Sequence, residues 1–439
     1  MDYKTSEVLE FIEENDVKFI KLAFCDIFGN QKNITIMPTE LKRAFYEGVS
    51  FDASAVTGFM KVEESDLLLF PEANTMYLLP WRPQHGRVVR FFCNIKHPDG
   101  RDFEGDCRNI LKEVIKDSKQ KGFTCKIGCE SEFYLFEQDE FGNPTMIPYD
   151  KGTYCDIYPN DRCENIRRDI CLSLEEMGIK PTSSHHEQGP GQNEIDYEYS
   201  NSLSAADNLI SFKSLVKTKA SENGLFASFM PRPLETECGS GLHINISLYK
   251  DNKNIFEDKN DKQYKYAESF ISGILNRIEE ITLFLNSSTN SYKRLGKDKA
   301  PKYITWSKEN RSQLIRIPAS KGDRCRMELR SPDSSCNPYI AFALLIKAGI
   351  EGIEKNLQLC NPHNINLFNA NDNKVKNLKT LPNNLNEAIN NALNSEFIKT
   401  VLPQKTINNY IDDKKQEWDI YNSITDKFKA EKELYFEVL

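Results

Sequence analysis

Cys129-Glu130-Ser131-Glu132-Phe133-Tyr134-Leu135-Phe136 has the composition of a β-strand, and a period of two sets Glu130 and Glu132 on one face. Two carboxylates then project together. In Gly239-Ser240-Gly241-Leu242-His243-Ile244-Asn245-Ile246-Ser247-Leu248 the same alternation gives His243, Asn245 and Ser247 one face and the four aliphatic residues the other. Arg326, Glu328 and Arg330 likewise share a face opposite Met327 and Leu329, and Arg311 and Arg316 add two more guanidinium groups nearby in sequence. Such a group of arginines suits phosphate and carboxylate, which the guanidinium binds in bidentate fashion. Finally, His185-His186-Glu187 and Glu194 bracket a Gly/Pro bend that can turn Glu187 and Glu194 toward one centre. Carboxylate oxygens with a single imidazole suit Mg²⁺ or Mn²⁺ better than structural zinc. Each segment alone also reads as a solvated strand face or a loop. Together they describe a site for divalent cations and phosphate.

The elements that must carry these residues are legible in outline. Val17 to Pro38 reads as a hairpin around Gly29-Asn30, and further extended stretches at 67–70, 76–79 and 88–95 predict a small sheet-rich domain. His97-Pro98-Asp99-Gly100 is a linker, so the expected domains are 1–100 and 101–439. Beyond it, Asp106 is a candidate N-cap for a helix over Ile110, Leu111, Val114 and Ile115 that stops at Gly122. Ile166, Ile170, Leu174 and Met177 mark another helix, and helices are predicted at 263–285, 337–356 and 385–402. Asn/Lys-rich stretches near 251–264 and 362–378 read as surface loops. The fold class is therefore α+β.

A chain of 439 residues exceeds the usual size of one core, and 28% charged with 39% hydrophobic residues is a globular balance. The net charge of −8 argues against a nucleic-acid partner. The first thirty residues are rich in acids and lack an apolar run, which predicts a cytoplasmic protein with no membrane segment. Twelve scattered cysteines read as free thiols, Cys125 and Cys129 included.

With these segments in hand, the chain resembles type I glutamine synthetase over nearly its whole length. The matching stretches are Phe51-Asp-Ala-Ser-Ala, Val62 to Asp66, Gly128 to Phe133, His185 to Glu194, Gly239 to His243, Asn290 to Leu295, Asn310 to Pro318 and Arg326 to Asp333. The resemblance implies an N-terminal β-grasp domain and a C-terminal catalytic domain, assembled as a dodecamer with active sites between subunits. It implies a reaction of L-glutamate, ATP and ammonia through a γ-glutamyl phosphate, with two or three Mg²⁺ or Mn²⁺ per site. Carried over by motif, one metal would bind Glu132, Glu187 and Glu194, and another Glu130, His243 and Glu328. Arg294 and Arg330 would hold the substrate carboxylates, with Gly241 lining the glutamate site. Arg311, Arg316 and Arg326 would attend the phosphates and the transferring phosphoryl, and Tyr199 and Ser247 the nucleotide. Asp52, from a neighbouring subunit, would bind ammonium and help to deprotonate it.

The sequence leaves the family pattern at the flap that normally carries a glutamate before an Ala-Pro pair. Here the segment is Arg294-Leu-Gly-Lys-Asp-Lys299-Ala-Pro301, with Lys299 in the catalytic flap position and Asp298 beside it. Cys238 also replaces a usual asparagine at the glutamate site. Two further readings stay open: a γ-glutamyl ligase for another amine, and a catalytically impaired regulatory paralogue.

Overall fold

Val17–Cys25 (β1) and Gln31–Ile36 (β2) pair antiparallel. Asp26 organises the turn between them, accepting hydrogen bonds from the Phe28 and Asn30 amides at 3.0 and 2.9 Å. Gly29, at φ 86°, takes the left-handed conformation that this turn requires. Val49–Asp52 (β3), Asp66–Pro71 (β4), Tyr77–Leu78 (β5) and Arg87–Lys96 (β6) complete a sheet of order β2-β1-β6-β4-β3, with β5 on β6. The computed structural model describes residues 4–82, 85–258, 260 and 262–439. The hairpin and extended stretches expected from sequence are thus present. Helices Thr5–Glu14 and Pro38–Glu47 are additional; Val8 and Ile12 on the first, and Leu41 and Ala44 on the second, stand one turn apart and face the core, a helical spacing present in the sequence.

After a turn closed by Gly100 N donating to His97 O at 2.9 Å comes a helix, Cys107–Gln120, capped as expected by the Asp106 carboxylate. A second, larger sheet follows. Its strands are Thr124–Gln138 (β7), Pro144–Pro148 (β8), Pro181–His186 (β9), Gln192–Tyr197 (β10), Ser200–Asn201 (β11), Leu225–Ser228 (β12), Leu242–Lys250 (β13), Lys253–Asn254 (β14), Trp306–Lys308 (β15), Ile315–Ile317 (β16) and Met327–Leu329 (β17). The main path is β15-β16-β17-β13-β7-β10-β9, with the long β7 as its spine. Along β7 the buried residues Ile127, Cys129, Ser131 and Phe133 alternate with the half-buried Lys126, Glu130 and Glu132, apart from the buried Gly128. The sheet therefore has an apolar side and a polar side.

Helices Glu164–Glu176, Tyr264–Leu285 and Pro338–Glu354 agree with the periodicity of the sequence. The last two cross almost backbone to backbone: a Cβ on Gly273 would meet Ala348 O at 2.2 Å, and one on Gly352 would meet Ser269 O at 2.1 Å. The predicted helix 385–402 is instead two helices, Leu385–Leu393 and Glu396–Lys399, because the Ser395 hydroxyl accepts from the Ile398 amide at 3.1 Å and caps a new start. The expected loops carry a short strand (β14) and a short helix, Asp372–Val375. All twelve cysteines are free, with Cys125 and Cys129 buried. No helix among the described residues is long and apolar enough to cross a membrane.

Arg277 ties the crossed helices together, donating to Glu351 at 2.8 and 2.9 Å and to Glu280 at 2.7 Å. The two bonds from Arg277, followed by one from Lys355, outweigh burial and hold the Glu351 carboxyl at about 2, below its ordinary 4.5. The folded value lies below the unfolded one, so the stabilisation is complete above about pH 4.5 and fades as pH falls toward about 2. Arg277→Met is expected to cost about 1 kcal/mol near neutral pH, given the pair's partial exposure. In urea unfolding the gap from the unsubstituted chain should shrink at about pH 3. An equal gap at both pH values would contradict the assignment.

Candidate active site

Strand register brings the chemistry together. His243 on β13 lies opposite Glu130 on β7, and Asn245 lies opposite Glu328 on β17. On the other side of β7, Glu194 of β10 faces Glu132, and His185 of β9 faces Glu194. Residues far apart in the chain thus form one row across the polar side of the sheet.

Two groups in this row have ligand spacing. The donor atoms of Glu130, His243 and Glu328 lie within 4.8 Å of one another, as do those of His185, Glu187 and Glu194. The first group is the set expected from sequence. In the second, His185 joins Glu187 and Glu194, with Nε2 at 3.0 Å from Glu187 Oε1. Glu132 borders the same cavity, but its Oε2 accepts from the Gly241 amide at 2.9 Å and the Gln192 amide at 3.2 Å. His185 is not among the ligands expected from sequence; its two-residue step to Glu187 within the same motif is the signal for it.

The two groups differ in charge balance. Burial acts to raise the Glu130 carboxyl, but the hydrogen bond from His243 Nδ1 at 3.1 Å prevails and holds it at about 2. Burial likewise opposes ionisation of Glu328, and His243, Arg330 and Arg316 overcome it. Glu194 has no such support: burial, then the charge of Glu132, pushes its carboxyl well above the usual range. Glu132 is also raised, chiefly by burial. A buried carboxylate cluster short of positive charge is a fitting cradle for a divalent cation, and its oxygen-rich donors suit Mg²⁺ or Mn²⁺.

The arginines surround this row. Glu328, fully buried, accepts from Arg330 Nη1 at 2.8 Å and forms a short contact with Arg316 Nε. Arg330 Nε is buried without a partner among the described residues. Arg326 donates through Nε to Asn245 at 2.7 Å, and its Nη2 lies 3.8 Å from Glu130. Arg311 is exposed at the rim.

Two cavities meet here. One, of about 290 Å³, is bordered by Glu132, Glu187, Glu194, Arg294, Arg311, Arg316 and Arg330. The other, of about 770 Å³, has Tyr199 and Ser247 in its wall. Glu130, Asp196 and Arg326 belong to both. Asp196 is a second residue that the sequence reading missed; it stands opposite Glu130 in the register, two positions after Glu194.

The profile of the glutamine synthetase catalytic domain matches residues 104–433, and that of the glutamine synthetase β-grasp domain matches residues 16–98. The chain belongs to the glutamine synthetase family. It is 45% identical over 426 residues to the glutamine synthetase of Clostridium saccharobutylicum, covering 96% of both chains. To that of Methanosarcina mazei it is 44% identical over 423 residues, with 95% of both covered. Among solved structures, the Plasmodium falciparum glutamine synthetase superposes with a TM-score of 0.87 at 26% identity, covering 98% of each chain. A GmaS/ADP complex gives 0.87 at 27% identity, covering 99% of this chain and 100% of that one.

Arg294, expected from the resemblance to hold a substrate carboxylate, is deeply buried. Arg294 donates to the carbonyls of Ser331 (2.8 Å), Arg330 (3.2 Å) and Pro332 (3.3 Å). Gly241 makes room for it: a Cβ there would come within 2.3 Å of Arg294 Nη2. The guanidinium cannot retreat without losing those carbonyls. Gly241→Ala is therefore expected to raise the KM for glutamate about tenfold or more, with a smaller change in kcat. An unchanged KM in steady-state assays would rule out this coupling.

Within this chain the flap borders the smaller cavity through Lys297, Asp298, Lys299 and Ala300. Asp298 pairs with Arg232 Nη1 at 2.8 Å, and Lys299 Nζ lies 5.0 Å from the Tyr154 ring centroid. Tyr154 in turn packs edge-on to His185 at 5.3 Å. Cys238 also borders the cavity, its thiol 3.4 Å from Gln188 Oε1. Asp52 stands apart. It is exposed at the end of β3, hydrogen-bonded by the Ser54 hydroxyl at 2.6 Å and amide at 2.9 Å, and it borders neither cavity of its own chain.

Proposed function

We propose that the two cavities carry out one reaction, the ATP-dependent joining of ammonia to the side-chain carboxylate of L-glutamate through a γ-glutamyl phosphate. The observation that carries this reading is the shared wall. Glu130, Asp196 and Arg326 separate the cavities, so a phosphoryl group delivered from one emerges against a carboxylate held in the other. The near-complete coverage by relatives named glutamine synthetase favours ammonia over another acceptor amine and over a non-catalytic role.

In this reading Arg330, with its free buried Nε, and Arg294 orient glutamate beside Gly241. Tyr199 and Ser247 border the nucleotide. A γ-carboxylate oxygen of glutamate attacks the terminal phosphorus of ATP and ADP leaves. Arg316, Arg326 and Arg311 offset charge on the transferring group, which is the main catalytic task in phosphoryl transfer. Ammonia then attacks the acyl carbon, and phosphate departs with the former carboxylate oxygen. Glu132, Glu187 and Glu194 would hold one Mg²⁺ or Mn²⁺, and Glu130, His243 and Glu328 another; bound there, the ions would neutralise phosphate charge. Lys299 serves the flap by its hold on Tyr154, and Asp298 supplies the flap's carboxylate. Asp52, remote from its own cavities, serves a neighbouring copy at an inter-subunit site of a dodecamer in the cytoplasm. The domain boundary lies near residue 100, supported by the turn at His97–Gly100.

Incubation with ATP, Mg²⁺, ammonia and glutamate labelled with ¹⁸O in its side-chain carboxyl tests the reading. One label atom is expected in the released phosphate, with one glutamine formed per ATP. Phosphate release that ignores ammonia but responds to methylamine or ethanolamine would overturn the acceptor. Unlabelled phosphate would overturn the acyl phosphate.

A further inference from the structure

Directly behind Glu187 lies a polar cluster that the reaction does not use. His186 and Asp150 side chains are both fully buried, and His186 Nε2 lies 2.9 Å from Asp150 Oδ1. The other ring nitrogen, Nδ1, lies 2.6 Å from the carbonyl oxygen of Glu187. Both nitrogens therefore face oxygens, and the ring joins the backbone of a proposed metal ligand to an anchored carboxylate. A Cβ on Gly152 would strike His186 Nε2 at 2.7 Å, so the loop closes tightly over the ring.

The anchor itself is saturated. Asp150 Oδ1 also accepts from the amides of Gly191 at 2.8 Å and Gly152 at 3.2 Å, and Oδ2 from the Arg162 amide at 2.9 Å and the Cys163 thiol at 3.2 Å. A parallel brace reaches the neighbouring strand. Asp161 pairs with Arg167, whose Nη1 donates to Asn193 Oδ1 at 2.7 Å, one residue before Glu194. Asp150, Asp161 and His186 have spacing that would suit a cation. Their oxygens already receive N–H and S–H donors, and the Arg167 guanidinium already pairs with both oxygens of Asp161. The trio is built to hold position.

We propose that the Asp150–His186 pair, with Asp161–Arg167 beside it, is a positioning device that fixes the β9–β10 hairpin and thereby the divalent-cation site of Glu187 and Glu194. This rests on reading those two glutamates as metal ligands. Outer groups of this kind commonly change metal affinity by about 10- to 100-fold when removed.

The test is Mn²⁺ binding to the purified chain by calorimetry and paramagnetic resonance, with Glu187→Gln and Glu328→Gln marking the two classes of ion. His186→Gln and the size-conserving Asp150→Asn should each weaken the Glu187 class about 10- to 100-fold and leave the Glu328 class intact. Their KM for Mn²⁺ should rise while kcat recovers at saturating Mn²⁺. Equal weakening of both classes would overturn the proposal, as would an unaltered Glu187 class in a folded Asp150→Asn chain. Loss of an additional Mn²⁺ in the His186 variant, with both classes kept, would make the trio a metal site instead. If Glu187→Gln itself changed neither class, the reading of Glu187 as a ligand would fail first.

Discussion

Glu328→Gln is expected to lower kcat for glutamine formation by about 10³-fold or more and to remove one class of bound Mn²⁺. The residue is fully buried and is the common acceptor for Arg330 Nη1 and Arg316 Nε, with His243 Nδ1 3.6 Å away. Glutamine keeps the size of the side chain and removes its charge. Two guanidinium groups then face each other without their counter-ion, and the phosphate side of the site loses its fixed geometry. Glu328→Ala adds the loss of every contact, so its stability should fall by about 3–5 kcal/mol, as for other buried pairs broken on one side. Glutamine should cost less stability than alanine while costing comparable activity. That dissociation separates chemistry from folding. Steady-state rates, thermal unfolding and Mn²⁺ binding of both variants measure it, and a folded Glu328→Gln chain within tenfold of full activity would sink the assignment.

The site could be read from sequence where polar residues alternate with core residues on single strands. Glu130 with Glu132, His243 with Asn245 and Ser247, and Glu328 between its arginines all follow from the period of two. Which strands adjoin is a different matter: Glu130 meets His243 through pairing between residues more than a hundred positions apart. Only the resemblance to a family supplied that grouping. Asp196 escaped notice because an acid two positions beyond Glu194 looks like an ordinary solvated strand face until β7 is laid against it. Helix Ser202–Glu222 leaves no periodic signal in the sequence for the opposite reason. Its buried residues include Ala205, Ala206, Asp207, Asn208, Leu209 and Ile210 in succession, so burial on every side left no stripe to detect. The break at Ser395 depends on one hydroxyl cap, a local choice that apolar periodicity does not register.

The flap makes the second large prediction, because two of its charged side chains, Asp298 and Lys299, point to different partners. Gly296 at φ 75° and Asp298 at φ 49° turn the backbone sharply, sending Asp298 to Arg232 and Lys299 to Tyr154. Asp298 is the acid within the segment from Arg294 to Pro301, so it alone there can attract an ammonium ion and take a proton from it. Removing a positioned base commonly costs about 10²-fold or more. Asp298→Asn is accordingly expected to lower kcat/KM for ammonia by about 10²-fold while glutamate-dependent ATP cleavage continues, since the metal and phosphate half is untouched. Lys299→Met should act differently. It releases the flap from Tyr154 and lets water reach the acyl phosphate, so phosphate release should exceed glutamine formation with only a modest change in KM for ammonia. Measured ratios of phosphate to glutamine in the two variants distinguish the roles. A Lys299→Met chain that loses ammonia dependence as severely as Asp298→Asn, with the two products still equal, would move the proton-handling role from Asp298 to Lys299.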